Sequence, residues 1–198
     1  MDISLIHRRE GIIISTIEAI NEVGLQNLST KIIAKKEGVS EGTLFRHFKN
    51  KTEIMIAVLD HFSQFDDAII EASENKNLNP VDTITYFITA YAEYYENYPA
   101  ITSLVQAYDT LAYEEELSEK VRSILNKRLN FLLKTIDKGK EEGFLQREVK
   151  TELIEDLITG AFREICLKWR LSNFTFSIKE RTLEMVNIVL KAFKENNR

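Results

Sequence analysis

Apolar residues recur every three or four positions along most of the chain, the spacing of helices that each bury one face. Ile13, Ile17 and Ile20 mark a first helix, which Gly24 can end in a left-handed conformation. Leu28-Ser29 opens a short second helix, in which Ser29 is a good N-cap and Leu28 can staple onto Ile33. Gly38 closes it. The arrangement repeats at once, with Val39 before Ser40 and Leu44 in the staple position, so a third helix is expected from Ser40 to about Phe48. Asn50 and Glu53 form a capping box for a fourth, whose buried face would carry Ile54, Val58, Phe62, Phe65 and Ile69.

Beyond a polar break at Asn75–Asn79, Pro80 suits the first position of the next helix, which carries Ile84, Ile88, Tyr91, Tyr95 and Tyr98 up to Pro99. Ile101, Leu104, Val105 and Tyr108 continue the pattern. A long segment follows, with Leu117, Val121, Ile124, Leu125, Leu132 and Ile136 before Gly143. Two helices remain, roughly 151–171 and 178–195, the last opened by a second capping box of Ser177 and Glu180. No internal repeat or β-alternation stands out. The expectation is an all-α chain of about nine helices.

Composition supports this reading. Hydrophobic residues make up 44% and charged ones 29%, enough for a real core, and seven glycines with two prolines favour long helices over many turns. Cys166 is the single cysteine, which excludes an intramolecular disulfide and suggests a reducing compartment. Neither a signal-peptide pattern nor an apolar run of membrane-spanning length occurs, so a cytoplasmic protein with no membrane partner is expected. Net charge is −5, but its distribution is uneven. Residues 29–51 hold six bases and two acids, a net of +4, which leaves −9 on the remainder. A small basic head on an acidic body points toward nucleic acid.

The segment Gly38-Val39-Ser40-Glu41-Gly42 also matches G-x-S-x-G, the nucleophile elbow of serine hydrolases. That elbow needs a preceding strand, and here the preceding segment is lysine-rich and helical in period. Ser40 therefore reads as a helix cap, and no enzyme activity is expected. His7 and Glu10 could share a helix face, but two ligands do not make a metal site. Cys166, between Ile165 and Leu167, suits a small buried hydrophobe. No dinucleotide or P-loop pattern appears, so no cofactor or metal is expected.

A helix-turn-helix fits every local feature. The short third helix carries Glu41, Gly42, Thr43, Arg46 and His47 on its polar positions, with Leu44 and Phe48 facing inward. Arg46 can reach a guanine edge or a phosphate, and Thr43 a base methyl or a phosphate oxygen. The run LSTKIIAKKEGVSEGTLFRHFKNKTEI, residues 28–54, resembles the signature of the tetracycline-repressor (TetR/AcrR) family of bacterial one-component regulators. The resemblance rests on Ser29-Thr30, Ile33-Ala34, Gly38-Val39-Ser40, Gly42-Thr43-Leu44, His47-Phe48 and Asn50-Lys51. It implies a helix-turn-helix DNA-binding domain over residues 5–65 and a helical effector-binding and dimerisation domain over 66–198. It implies that Thr30 and Lys31 touch the DNA backbone, that Glu41, Gly42, Thr43, Arg46 and His47 face the major groove, and that Lys51 holds a phosphate. Ser40 and Phe45 belong to the same surface. Phe45 stands where the family usually has a tyrosine, and Lys36-Glu37 replaces a small apolar pair. Glu41 places a negative charge near the DNA, suited to a cytosine amino group.

Tyr86, Phe87, Tyr91, Tyr94, Tyr95 and Tyr98 crowd one helix of the body. Tyrosine joins an apolar ring to a hydroxyl, which suits a greasy pocket with a few polar tips as well as a plain aromatic core. Tyr91, Tyr95, Tyr108 and Leu125 are the candidate pocket residues. Ile158, Ala161, Ile165, Val186, Leu190 and Phe193, on the last two helices, are the candidate dimer seam that the resemblance implies. The function expected is a homodimeric repressor on a palindromic double-stranded operator, released by a small apolar or aromatic ligand. The alternative is an adaptor or architectural DNA-binding protein of the same fold without a small effector.

Overall fold

A computed structural model describes residues 3–195, with side chains from residue 7 onward. Ten α-helices and one 3₁₀ turn, with no β-strand, make up the described residues: α1 (Ile3–Val23), the turn Leu25–Asn27, α2 (Thr30–Glu37), α3 (Glu41–His47) and α4 (Lys51–Asn75) come first. α5 (Pro80–Asn97), α6 (Ile101–Gln106), α7 (Tyr108–Ala112), α8 (Glu115–Glu141), α9 (Thr151–Leu171) and α10 (Ile178–Ala192) follow. The extra helix relative to expectation arises at Ala107, whose backbone (φ −88°, ψ −2°) separates α6 from α7 within one apolar stretch. Gly24 has the positive φ the sequence calls for (78°), but with an extended ψ of 156° that leads into the 3₁₀ turn.

The chain forms two compact units. Among the described residues the first comprises 3–65 and 98–124, the second 66–97 and 125–195. In the first unit α1 packs on α2 and α6, around Ile12, Ile17, Ile33, Leu44, Phe48, Ile54, Val58 and Phe62. In the second, α10 packs on α5 and α9, around Ile84, Ile88, Ile154, Ile158, Trp169, Ile178 and Val186.

One predicted face shifts. Phe65 was expected inside α4, yet it is 38% exposed, and the neighbouring Asp66 is fully buried. A helix of 3.6 residues per turn allows either position to follow Phe62 inward. Asp66 takes it because Arg128 of α8 and Tyr91 of α5 supply a cation and a hydroxyl there.

Candidate nucleic-acid interface

The hairpin of α2 and α3 is built by its caps. Ser29 accepts a hydrogen bond from the Ile32 amide at 3.3 Å, and Ser40 accepts one from the Thr43 amide at 3.1 Å. Ser40 Oγ also lies 3.0 Å from Thr43 Oγ1. Between the helices Gly38 is left-handed (φ 74°, ψ 30°), where a side chain is strained, and the Val39 amide donates to the Ala34 carbonyl at 2.9 Å. Ser40 thus serves as the N-cap of α3, with its oxygen occupied by the helix it starts. Leu44 and Phe48 are buried and anchor α3.

The outward side of α3 presents Gly42, Phe45 and Arg46, all exposed, with Glu41, Thr43 and His47 half-buried beside them. Arg46 leans on Thr43, its guanidinium donating to Oγ1 at 3.3 Å. Lys31, Lys35 and Lys49 are exposed around this face. Two expected contacts are partly engaged within the chain. Thr30 donates to Glu41 Oε2 at 2.8 Å, tying the start of α2 to the start of α3. Lys51 Nζ donates to the Leu28 carbonyl at 2.9 Å, just ahead of the Ser29 cap.

The Lys36-Glu37 pair bolts α2 to α1. Lys36 meets Glu22 at 2.5 Å and Glu18 at 3.3 Å; hydrogen bonds to Glu22 and then Glu18 raise its pKa above the ordinary lysine value. Glu37 accepts from Ser15 at 2.8 Å and from Arg8 at 3.1 Å, and its carboxylate lies against Gly11, where a side chain would intrude. Arg9 carries no signal of its role in the sequence. Its guanidinium donates to the His47 carbonyl at 2.8 Å and lies 4.1 Å above the centre of the Phe48 ring, fastening the end of α3 to α1. Nothing in the spacing separates Arg9 from Arg8; only the tertiary contact does.

In the second unit Tyr91 and Tyr95 are buried neighbours with ring centroids 6.2 Å apart. Tyr91 donates to Asp66 Oδ1 at 2.9 Å, and Arg128 donates to the same oxygen at 2.8 Å while lying over the Tyr91 ring at 4.7 Å. Burial raises the Asp66 carboxyl above its usual range despite Arg128. Burial likewise raises the Tyr91 hydroxyl and pushes Tyr95 up to about 12. Tyr108 belongs to the first unit, edge-on to Phe62 at 6.0 Å, and Leu125 is 36% exposed. Ile158, Ile165, Val186 and Leu190 are buried within their own unit, and Ala161 and Phe193 are half-buried. The apolar residues that α9 exposes are Leu153, Leu157, Leu167 and Leu171, with Leu183 and Ile188 on α10.

A capped helical hairpin with Arg46 exposed on its second helix and Lys31, Lys35 and Lys49 exposed beside it is the arrangement of a helix-turn-helix DNA-binding transcriptional regulator. The family model described as bacterial regulatory proteins, tetR family, matches residues 12–58, and that of the YsiA-like protein C-terminal region matches residues 58–192. The chain belongs to the TetR family of bacterial regulatory proteins. It is similar to the fatty acid metabolism regulator protein of Bacillus subtilis, 26% identical over 172 residues, covering 84% of this chain and 86% of that one. It is also similar to the nucleoid occlusion factor SlmA of Actinobacillus pleuropneumoniae, 26% identical over 161 residues, covering 79% and 77%. The fold matches the crystal structure of the transcriptional regulator FadR from Bacillus subtilis in complex with stearoyl-CoA, with a TM-score of 0.80 at 21% identity over 93% of this chain and 98% of that one. Among the described residues no helix is long and apolar enough to cross a membrane.

Proposed function

We propose that the protein is a homodimeric repressor that binds a palindromic operator through residues 5–65 and is released by a fatty-acyl ligand held within residues 66–198. The observation that carries the DNA half is the α2–α3 hairpin, capped by Ser29 and Ser40, with Arg46 exposed on the outer side of α3. In this reading Thr43, Phe45, Arg46 and His47 meet the major groove, and Thr30, Lys31 and Lys51 meet phosphates. A twofold dimer sets its two recognition helices about 34 Å apart, one turn of DNA. The α9 residues Leu153, Leu157, Gly160, Leu167 and Leu171 recur at spacings of three, four and seven along one exposed stripe, as a self-association face requires. The likeness to a fatty acid metabolism regulator, and to a fold solved with stearoyl-CoA, supports an acyl effector.

The likeness to a nucleoid occlusion factor favours a second reading, a DNA-bound protein that answers to a protein partner. Fluorescence anisotropy with the DNA upstream of the protein's own gene separates the two. Decanoyl-CoA or stearoyl-CoA should weaken binding to that DNA. Binding that neither thioester alters supports the second reading, and no preference over random DNA removes the operator altogether.

A further inference from the structure

The Asp66–Arg128 pair lies among aromatic residues, Asp66 buried and Arg128 15% exposed, and is weak evidence for stability, since replacing such a largely buried pair by apolar side chains is commonly neutral or stabilising. Nor is the pair complete. The Tyr91 hydroxyl and an Arg128 amino group converge on Oδ1, while Oδ2 is buried with no hydrogen-bond partner. A carboxylate paired with a guanidinium frequently accepts through both oxygens. Asp66 is an imperfect occupant of its place.

The helix faces around this pair lead to a cavity. On α8, Arg128, Phe131, Thr135 and Lys138 fall on one side; on α5, Thr83, Phe87 and Tyr91 do; on α4, Asp66 and Ser73 do. Ser73, Thr83, Phe131, Thr135 and Lys138 line a cavity of about 300 Å³. Phe131 packs on Phe87 at 4.6 Å, and Phe87 meets Tyr91 edge-on at 5.1 Å. Cavity and ion pair are thus joined by one line of aromatic contacts, roughly 10 Å long by the helical rise from Arg128 to Thr135. The Phe87–Phe131 pair fills its middle.

We propose that this path is an effector site for an apolar carboxylic acid, whose carboxylate replaces that of Asp66 on Arg128. The proposal deepens the ligand-released reading above and rests on it. The aromatic rings supply walls for an acyl chain once Phe87 and Phe131 part toward the cavity. An untethered carboxylate can offer both oxygens to the guanidinium, which Asp66, fixed to α4, does not. The displaced Asp66, already disposed to protonation by its burial, takes a proton from solvent and stays neutral. Asp66 lies on the helix whose first residue is Lys51, so the exchange alters what holds α4.

Calorimetry on the full chain with decanoate, 1-decanol and decanoyl-CoA tests this in the wild type, in Asp66→Asn and in Asp66→Asn/Arg128→Gln. Removing the internal competitor should tighten decanoate by about tenfold or more in Asp66→Asn, because the site is no longer self-occupied. The double variant should lose that gain while its affinity for decanol matches that of Asp66→Asn. Its neutral pair leaves no unpaired charge, whereas Asp66→Asn removes the carboxylate that faces Arg128, so melting curves verify the fold of both variants before affinities are compared. Decanoate that binds Asp66→Asn no tighter than wild type, or that binds neither, overturns the proposal. Operator release, followed with the same probes, reads the parent function separately. Release by decanoyl-CoA with decanoate affinity unchanged across the variants overturns the Arg128 assignment alone. Decanoate binding that follows the variants but never moves DNA overturns ligand release alone.

Discussion

Gly11→Ala tests what fixes the DNA-reading hairpin to α1. In an ordinary helix interior this substitution stabilises by roughly 0.5–1 kcal/mol, because alanine loses less backbone freedom on folding. Here the new Cβ would lie 2.5 Å from Glu37 Oε1, so the carboxylate must move. It is held by Ser15 at 2.8 Å and Arg8 at 3.1 Å. The Ser15 bond is partly buried and charge-assisted, a class worth about 1.5–3 kcal/mol. The Arg8 side chain is 47% exposed, so that ion pair is worth about 0.5 kcal/mol after solvent screening. The loss exceeds the propensity gain, and Gly11→Ala should destabilise by about 1–3 kcal/mol.

For a chain of this size that is a fall in melting temperature of roughly 2–12 °C, read by circular dichroism. Operator affinity should fall with it, because α2 loses its hold on α1. A double-mutant cycle with Glu37→Ala isolates the cause: without the carboxylate, alanine at 11 should be stabilising by the ordinary roughly 0.5–1 kcal/mol. If Gly11→Ala melts above the wild type while Glu37 is intact, the clash is absorbed elsewhere and the argument fails.

Four other substitutions probe the remaining contacts. Arg46→Ala should cost roughly 1–3 kcal/mol on the operator and relax preference at one position per half-site. Lys51→Ala should weaken all sequences alike and lower the salt slope by about one unit, with a further stability loss of about 1 kcal/mol from the Leu28 carbonyl bond; equal losses on operator and random DNA for both variants would refute base reading by Arg46. Leu157→Glu, on the exposed side of α9, should give monomers that fail on the operator, and sedimentation of an intact dimer would sink that face as the seam. Burial raises the Glu155 carboxyl, with Asp156 adding and Thr159 opposing, so the folded chain holds this proton more tightly than the unfolded one. That stability is present at low pH and lost as pH rises through the raised value; Glu155→Gln should abolish the loss and be the more stable chain at pH 8, whereas parallel pH curves would disprove it.

The first three helices after α1 are legible because their signals are local. Ser29, Gly38 and Ser40 act on atoms within a few residues of themselves, so cap, turn and cap can be read directly from the chain. The exposed side of α3 follows, since burying Leu44 and Phe48 leaves Phe45 and Arg46 outward. What ties the hairpin down is not legible in the same way. Glu37 reaches Ser15 across 22 positions and Arg9 reaches the His47 carbonyl across 38, and no periodicity reports such pairings. The α9 and α10 stripes show a related limit. Their amphipathic spacing marks one apolar side, but both helices also expose leucines, so spacing alone does not say which side a second copy would meet.

Asp66 is the sharpest case. A reading that seeks apolar residues at helical spacing passes over it in favour of Phe65, because a carboxylate is expensive to bury. The expense is met by partners 25 and 62 positions away, Tyr91 and Arg128, neither of which announces its role from its own neighbourhood. Of the crowded tyrosines, Tyr91 is the one whose hydroxyl is bound to that carboxylate, while Tyr95 stacks on Phe162 at 5.7 Å and Tyr108 meets Phe62. The tyrosine pattern therefore points to the correct helix for a polar contact within an aromatic core, and the buried acid on α4 decides which hydroxyl it is. A carboxyl that helical spacing would place outside, but that lies inside with one oxygen unpaired, calls for an explanation that the aromatic residues around it do not supply.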